Sequence, residues 1–229
     1  MLLKSLIDLI WPRVCHICGS TLPETDRFVC APCISALPRT GYHRYSGSMN
    51  PMEHRFAGII PFERATGHFF YMPGNPVAEL IHDFKYRNFP GLATYLGEIA
   101  GKELYPTGFF SQAEAVIPVP LHFIKKMRRG YNQSEAIAMG LSRATRLPVD
   151  TSLRATRPHR TQTALGHEMR LKNTIGLFRV SHPERLKGKT IILVDDVCTT
   201  GATLLAAAEA ILRDVESSRV ILFSLGVTF

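Results

Sequence analysis

Residues 190–203 read Thr-Ile-Ile-Leu-Val-Asp-Asp-Val-Cys-Thr-Thr-Gly-Ala-Thr, which sets two adjacent carboxylates between an apolar run and a turn of small residues. Ile191 to Val194 read as a buried strand capped by Asp195 and Asp196, and an Ala-rich helix is expected from about Ala202 to Arg213. A strand that ends in such a turn at a helix start is where an α/β sheet holds a phosphate. The turn N–H groups point outward and the helix dipole favours an anion. Here the turn is Thr199, Thr200, Gly201, Ala202 and Thr203. The carboxylates cannot ligate a phosphate, because like charges repel. They need hydroxyl donors or a metal, so the whole pattern specifies a sugar phosphate better than a bare phosphate.

A second constellation lies near the N-terminus. Cys15-x2-Cys18 and Cys30-x2-Cys33 are separated by eleven residues. Each knuckle can present two thiolates to one ion, and two knuckles complete a tetrahedral S4 zinc site. Gly19 and Pro32 stand where tight turns around the ligands are expected. With all four ligands from protein, such a zinc ion is structural. Two disulfides are the competing reading, but they suit secreted chains, and no secretion signal is visible. His16, between two ligands, reads as a surface residue.

Two further segments are basic. The run Lys125-Lys126-Met-Arg128-Arg129-Gly130-Tyr131-Asn132-Gln133 follows Ala115 to Val119, which reads as a strand. A loop at the carboxyl end of a parallel strand lies on the binding edge of the sheet. Lys126, Arg128, Arg129 and Gly130 can therefore face the same crevice as Asp195 and Asp196. Two anions compete for this loop: pyrophosphate, and the backbone of single-stranded nucleic acid with Phe123 and Tyr131 as stacking rings. The second basic segment, about 154–176, lacks periodicity and carries Arg154, Arg157, Arg160, Gln162, Arg170 and Lys172 against one acid, Glu168. So long a loop in a compact domain suits a lid, here a basic one closing over a polyphosphate.

The elements that must position these groups alternate. Helices are expected from Pro76 to Tyr86, from Leu92 to Leu104 and from Ser134 to Ala144. Strands are expected at Phe56–Phe62, Ala115–Val119, Thr190–Val194 and Val220–Phe223. Strands separated by helices predict a parallel sheet covered on both faces. The chain has 229 residues, and its 45% hydrophobic content supports a packed core. The net charge of +8 implies anionic partners. Leu2, Leu3, Leu6, Leu9 and Ile10 fall at helical spacing, interrupted by Lys4 and Asp8. That run is too short to span a bilayer and predicts an amphipathic helix docking on the protein itself. A cytoplasmic protein is expected.

Several pieces occur in a fixed order: the four-cysteine ribbon, Phe84-Lys85-Tyr86-Arg87, Pro118-Val119-Pro120, Arg129-Gly130-Tyr131-Asn132-Gln133, Arg160-x-Gln162…Arg170-x-x-Asn173, and the 190–203 segment. The last resembles the phosphoribosyl-pyrophosphate (PRPP) signature of type I phosphoribosyltransferases. Together the pieces resemble the ComF family of competence-associated phosphoribosyltransferase-like proteins, GntX-type members included. One departure is Asn88-Phe89, where that family often has Gly-Asp.

The resemblance implies a type I phosphoribosyltransferase fold behind a zinc ribbon: residues 1–45 as the ribbon, and 55–229 as the main domain. Within that domain, 55–112 would be an accessory hood and 113–229 the PRPP-binding core. It also implies that Asp195 and Asp196 hold the ribose, and that Thr199, Thr200, Gly201, Ala202 and Thr203 hold the 5′-phosphate. Arg129 and its neighbours would neutralise a departing Mg²⁺-pyrophosphate. The role implied is the handling of incoming DNA, either as an enzyme transferring phosphoribosyl or as a single-stranded-DNA-binding factor that keeps the pocket and works with DNA-uptake proteins. Cys198 reads as packing rather than as a nucleophile.

Overall fold

The computed structural model describes residues 12–121, 127, 130–156 and 176–229. The expected helix at 2–10, the basic residues Lys126, Arg128 and Arg129, and the lid residues Arg160, Gln162 and Arg170 lie outside the described residues.

In chain order the main elements are α1 (Ala31–Ser35), β1 (Arg64–Phe70), α2 (Pro76–Tyr86), α3 (Pro90–Leu104), β2 (Ala115–Pro118), α4 (Gln133–Thr145), β3 (Leu153–Ala155), β4 (Phe178–Val180), β5 (Thr190–Cys198), α5 (Ala202–Asp214) and β6 (Arg219–Val227). Four strands form a parallel sheet in the order β1-β6-β5-β2. Ala115 lies opposite Ile191, Thr190 opposite Arg219, and Arg64 opposite Ile221. β3 and β4 make a separate antiparallel pair.

The alternation of β5 explains the layers. Ile192 and Val194 join one core with Leu80 and Phe84 of α2, Leu96 of α3 and Ile137 and Leu141 of α4. Ile191 and Leu193 join the opposite core with Leu204, Leu205 and Ile211 of α5 and with β3 and β4. A strand buried on both faces must read as a continuous apolar run, which is what Ile191 to Val194 do. Both sheet edges find backbone partners. Phe70 N–H donates to Pro38 O at 2.9 Å beyond β1, and Val116 N–H donates to Pro148 O at 2.9 Å beyond β2. These contacts cover part of each edge.

The helices start and stop by local chemistry. Asn75 Oδ1 accepts from Ala78 N–H and Pro76 opens α2, whose Val77, Leu80, Ile81 and Phe84 form the buried stripe. Asn132 caps α4 and Arg146 ends it in the left-handed conformation. α3 and α4 meet through glycines. A Cβ on Gly97 would lie 2.3 Å from Ile137 O, and one on Gly140 would lie 2.1 Å from Thr94 O.

The connection leaving β2 passes through α4 onto one face, and the connection leaving β5 passes through α5 onto the other. The crevice between the carboxyl ends of β2 and β5 is therefore the topological switch point, where open α/β sheets take their ligands.

Two expectations are corrected. The stretch Phe56–Phe62 is not a strand: it turns through Gly58 at φ 75° and runs to Pro61, while the strand lies just after it, in β1. β1 escapes a hydrophobicity reading because its interior includes Thr66, Gly67 and His68, all buried. Gly67 is required there, since a Cβ would lie 2.4 Å from the Val227 side chain. Likewise β5 does not stop at Val194 but runs on to Cys198, so the carboxylates stand within the strand. Among the described residues no helix is long and apolar enough to cross a membrane.

Candidate functional site

Asp195 and Asp196 lie half-buried near the carboxyl end of β5. Asp195 Oδ1 accepts from Ser134 Oγ at 3.1 Å and from Asp196 N–H at 2.9 Å. Ser134 is at the start of α4, aimed by Asn132, whose Oδ1 accepts from Ser134 N–H at 3.2 Å while its Nδ2 donates to Val119 O. Asp196 Oδ1 meets the Lys85 ammonium of α2 at 2.9 Å. Burial and the neighbouring Asp196 charge push Asp195 up to about 7, against the pull of its N–H bond, Lys85 and Ser134. Asp195 therefore changes protonation near neutral pH, with the Lys85 ammonium as the cation beside the pair.

The turn after β5 exposes Thr199 and Thr200 and buries Gly201. Among the described residues, the backbone N–H groups of Thr199, Thr200 and Gly201 meet no acceptor. Gly201 caps α5 with φ 81°, a left-handed conformation that favours glycine, and the first turn of α5 adds further N–H groups. Ala202 N–H reaches only Thr200 Oγ1, at 3.4 Å, and Thr203 follows in the first helical turn. Cys198 is buried behind the turn, and its thiol is pushed up to about 11 by burial, which suits packing.

The end of α2 reaches the same edge through Lys85, which meets Asp196. Tyr131 OH donates to Phe84 O, and a Cβ on Gly130 would lie 3.6 Å from Asn88 Oδ1, so Gly130 and Tyr131 lie against the segment that carries Lys85. The structure therefore brings Asp195, Asp196, Thr199, Thr200, Gly201, Ala202, Thr203 and Gly130 to one edge of the sheet. Sequence reasoning quoted Lys85 within the Phe84-Lys85-Tyr86-Arg87 piece without giving it a site role, and missed Ser134 and Arg55. Arg55 donates to Cys198 O at 3.3 Å and to Thr199 O and Thr228 O behind the turn. No spacing signal links any of the three to β5, because each arrives from a different element.

The four ribbon cysteines converge. Their sulfurs all lie within 4.8 Å of one another, and Cys18 Sγ and Cys30 Sγ are 3.8 Å apart. Zinc–sulfur bonds of about 2.3 Å in a tetrahedron put sulfurs about 3.8 Å apart, whereas a disulfide needs about 2.05 Å. Ile17 N–H and Cys30 N–H both point at Cys15 Sγ, at 3.4 Å, and would steady a thiolate. Cys15, Cys18, Cys30 and Cys33 can hold a metal ion such as zinc.

His16 is not the surface residue its position suggested. It is half-buried, and its Nδ1 sits 3.1 Å from Asp83 Oδ2 of α2. A second tie is Arg39, which pairs with Glu103 of α3 at 2.7 and 3.1 Å and donates to Ile34 O and Leu37 O at the end of α1.

A family model of the phosphoribosyl transferase domain matches residues 107–225, from before β2 into β6. The chain belongs to the phosphoribosyltransferase domain family. This phosphoribosyltransferase-domain protein is also similar to proteins named for DNA handling. DNA utilization protein YhgH of Escherichia coli (strain K12) is 29% identical over 205 residues, 88% of this chain and 85% of that protein. Competence protein F of Haemophilus influenzae is 33% identical over 206 residues, 83% and 86% of the two chains. Competence protein ComFC of Bacillus subtilis (strain 168) is 24% identical over 216 residues, 93% and 83%. The solved structure of the allosteric regulatory enzyme of purine biosynthesis overlaps 62% of this chain but only 30% of its own, at 19% identity and a TM-score of 0.39.

Proposed function

We propose that this phosphoribosyltransferase-domain protein binds PRPP with Mg²⁺ at the carboxyl edge of β2 and β5. The observation that carries the reading is the pairing of two functions at the switch point. A carboxylate pair able to accept from ribose hydroxyls stands beside a turn whose N–H groups have no acceptor within the described residues.

In this reading Asp195 and Asp196 accept from the ribose hydroxyls, and Thr199, Thr200, Gly201, Ala202 and Thr203 take the 5′-phosphate. Lys126, Arg128, Arg129 and Gly130 face the pyrophosphate, and Arg160, Gln162 and Arg170 close over it. Lys85, paired with Asp196, supplies a cation next to the leaving group. Mg²⁺ neutralises the polyphosphate it accompanies. Transfer to an acceptor would pass through an oxocarbenium-like state stabilised by position and charge.

The cysteine ribbon holds a structural zinc ion. By likeness to the competence and DNA utilization proteins, the protein serves the handling of incoming DNA in the cytoplasm, with single-stranded DNA and DNA-uptake proteins as its partners. Calorimetric titration with PRPP and Mg²⁺ tests the reading. Wild type should bind, and the double variant Asp195→Asn, Asp196→Asn should bind at least about tenfold more weakly.

A further inference from the structure

A turn that cradles a phosphate must turn its carbonyl oxygens away, because an oxygen lone pair aimed at the anion repels it. In this protein one side chain gathers those oxygens. Arg55 donates to Cys198 O, to Thr199 O and to Thr228 O, so a single guanidinium holds acceptors from the ends of both β5 and β6. Of the three, Thr199 O belongs to the turn itself and Cys198 O to the last residue of β5 before it.

Arg55 is delivered there by a stiff platform. Asn50 is buried, and its Oδ1 accepts from Met52 N–H at 2.9 Å and Glu53 N–H at 3.0 Å, while its Nδ2 donates to Ala65 O at 2.8 Å. Glu53 accepts from Asn50 N–H at 2.9 Å and from Ala65 N–H at 3.3 Å. The short 3-10 turn Glu53–Arg55 is thereby fastened to the start of β1. The next residue, Phe56, is fully buried under the turn, and a Cβ on Gly201 would lie 2.9 Å from its ring. The platform's cation and its ring both end against residues 198–201.

We propose that Arg55 is a positioning residue for the phosphate turn: by fixing the Cys198 and Thr199 carbonyls behind β5 it holds the N–H groups of Thr199 to Gly201 toward the 5′-phosphate. This rests on the PRPP reading and deepens it. A flat planar fork can serve three carbonyls at once, which a lysine ammonium on a flexible stem does less well.

The test uses two probes that engage different halves of the pocket, ribose 5-phosphate and Mg²⁺-pyrophosphate, titrated against wild type, Arg55→Gln and Arg55→Lys. Arg55→Gln should weaken ribose 5-phosphate by about tenfold or more, the scale of a lost charge-assisted hydrogen bond, and leave pyrophosphate within about twofold. Arg55→Lys should fall between and keeps the question answerable should the glutamine variant fold poorly. Equal weakening of both probes in the lysine variant makes Arg55 a merely structural clamp and overturns the proposal, as does an unchanged ribose 5-phosphate affinity. A wild type that binds neither probe overturns the pocket reading itself, and this inference with it.

Discussion

At the scale of residues, the notable feature of the site is that two adjacent carboxylates share one cation, Lys85. Asp196 faces Lys85 at 2.9 Å, and Asp195 is pushed up to about 7 by burial and by Asp196. An unfolded Asp has its ordinary value of 3.8, so between about pH 4 and pH 7 the folded protein holds a proton that the unfolded chain releases. Asp195 therefore favours folding at the low end of that window, and the benefit is lost as pH rises through 7. Asp195→Asn should raise the melting temperature at pH 8 by about 2–4 °C, equivalent to about 1 kcal/mol for a chain this size, and change it little at pH 4. Differential scanning calorimetry at the two pH values checks this, and a variant less stable than wild type at pH 8 contradicts it. The carboxylates themselves were legible because adjacent acids after four apolar residues are rare without a use. Lys85 and Arg55 were not, because their roles depend on where α2 and the 50–56 platform come to rest.

At the scale of elements, the placement of Ser134 and Lys85 depends on how α2, α3 and α4 pack. α3 and α4 approach closely enough that Gly97 and Gly140 have no room for a methyl group against Ile137 O and Thr94 O. Ala usually stabilises a helix interior by up to about 1 kcal/mol relative to Gly, but here overpacking against backbone should dominate. Gly97→Ala or Gly140→Ala should each destabilise the protein by about 1–3 kcal/mol in urea unfolding, and an unchanged or raised midpoint would show that the seam is slack. The amphipathic stripe of α2, its proline start and the apolar run of β5 made these elements readable from sequence. β1 was misplaced because its buried interior is built of Thr66, Gly67 and His68, which carry no hydrophobic signal. The glycine at 67 answers to Val227, a neighbour far along the chain.

At the scale of the whole molecule, the ribbon is tied into the α/β sheet rather than appended to it. His16 meets Asp83 of α2, and Arg39 links the end of α1 to Glu103 of α3, whose carboxyl is held down to about 2, burial notwithstanding, by His68 and Arg39. Purified protein should contain about one equivalent of zinc, and stripping it should lower the melting temperature; less than half an equivalent in fresh protein would count against a zinc site. The spacing of the four cysteines made the metal centre legible, whereas its attachment to α2 and α3 needed the fold. The central claim remains the pocket between β2 and β5. The measurement that tests it most directly is calorimetric titration of PRPP with Mg²⁺ into wild type and into the Asp195→Asn, Asp196→Asn double variant. The pocket predicts a saturable one-to-one heat in wild type that weakens at least about tenfold in the double variant. No heat in wild type, or equal affinity in the two, would contradict it.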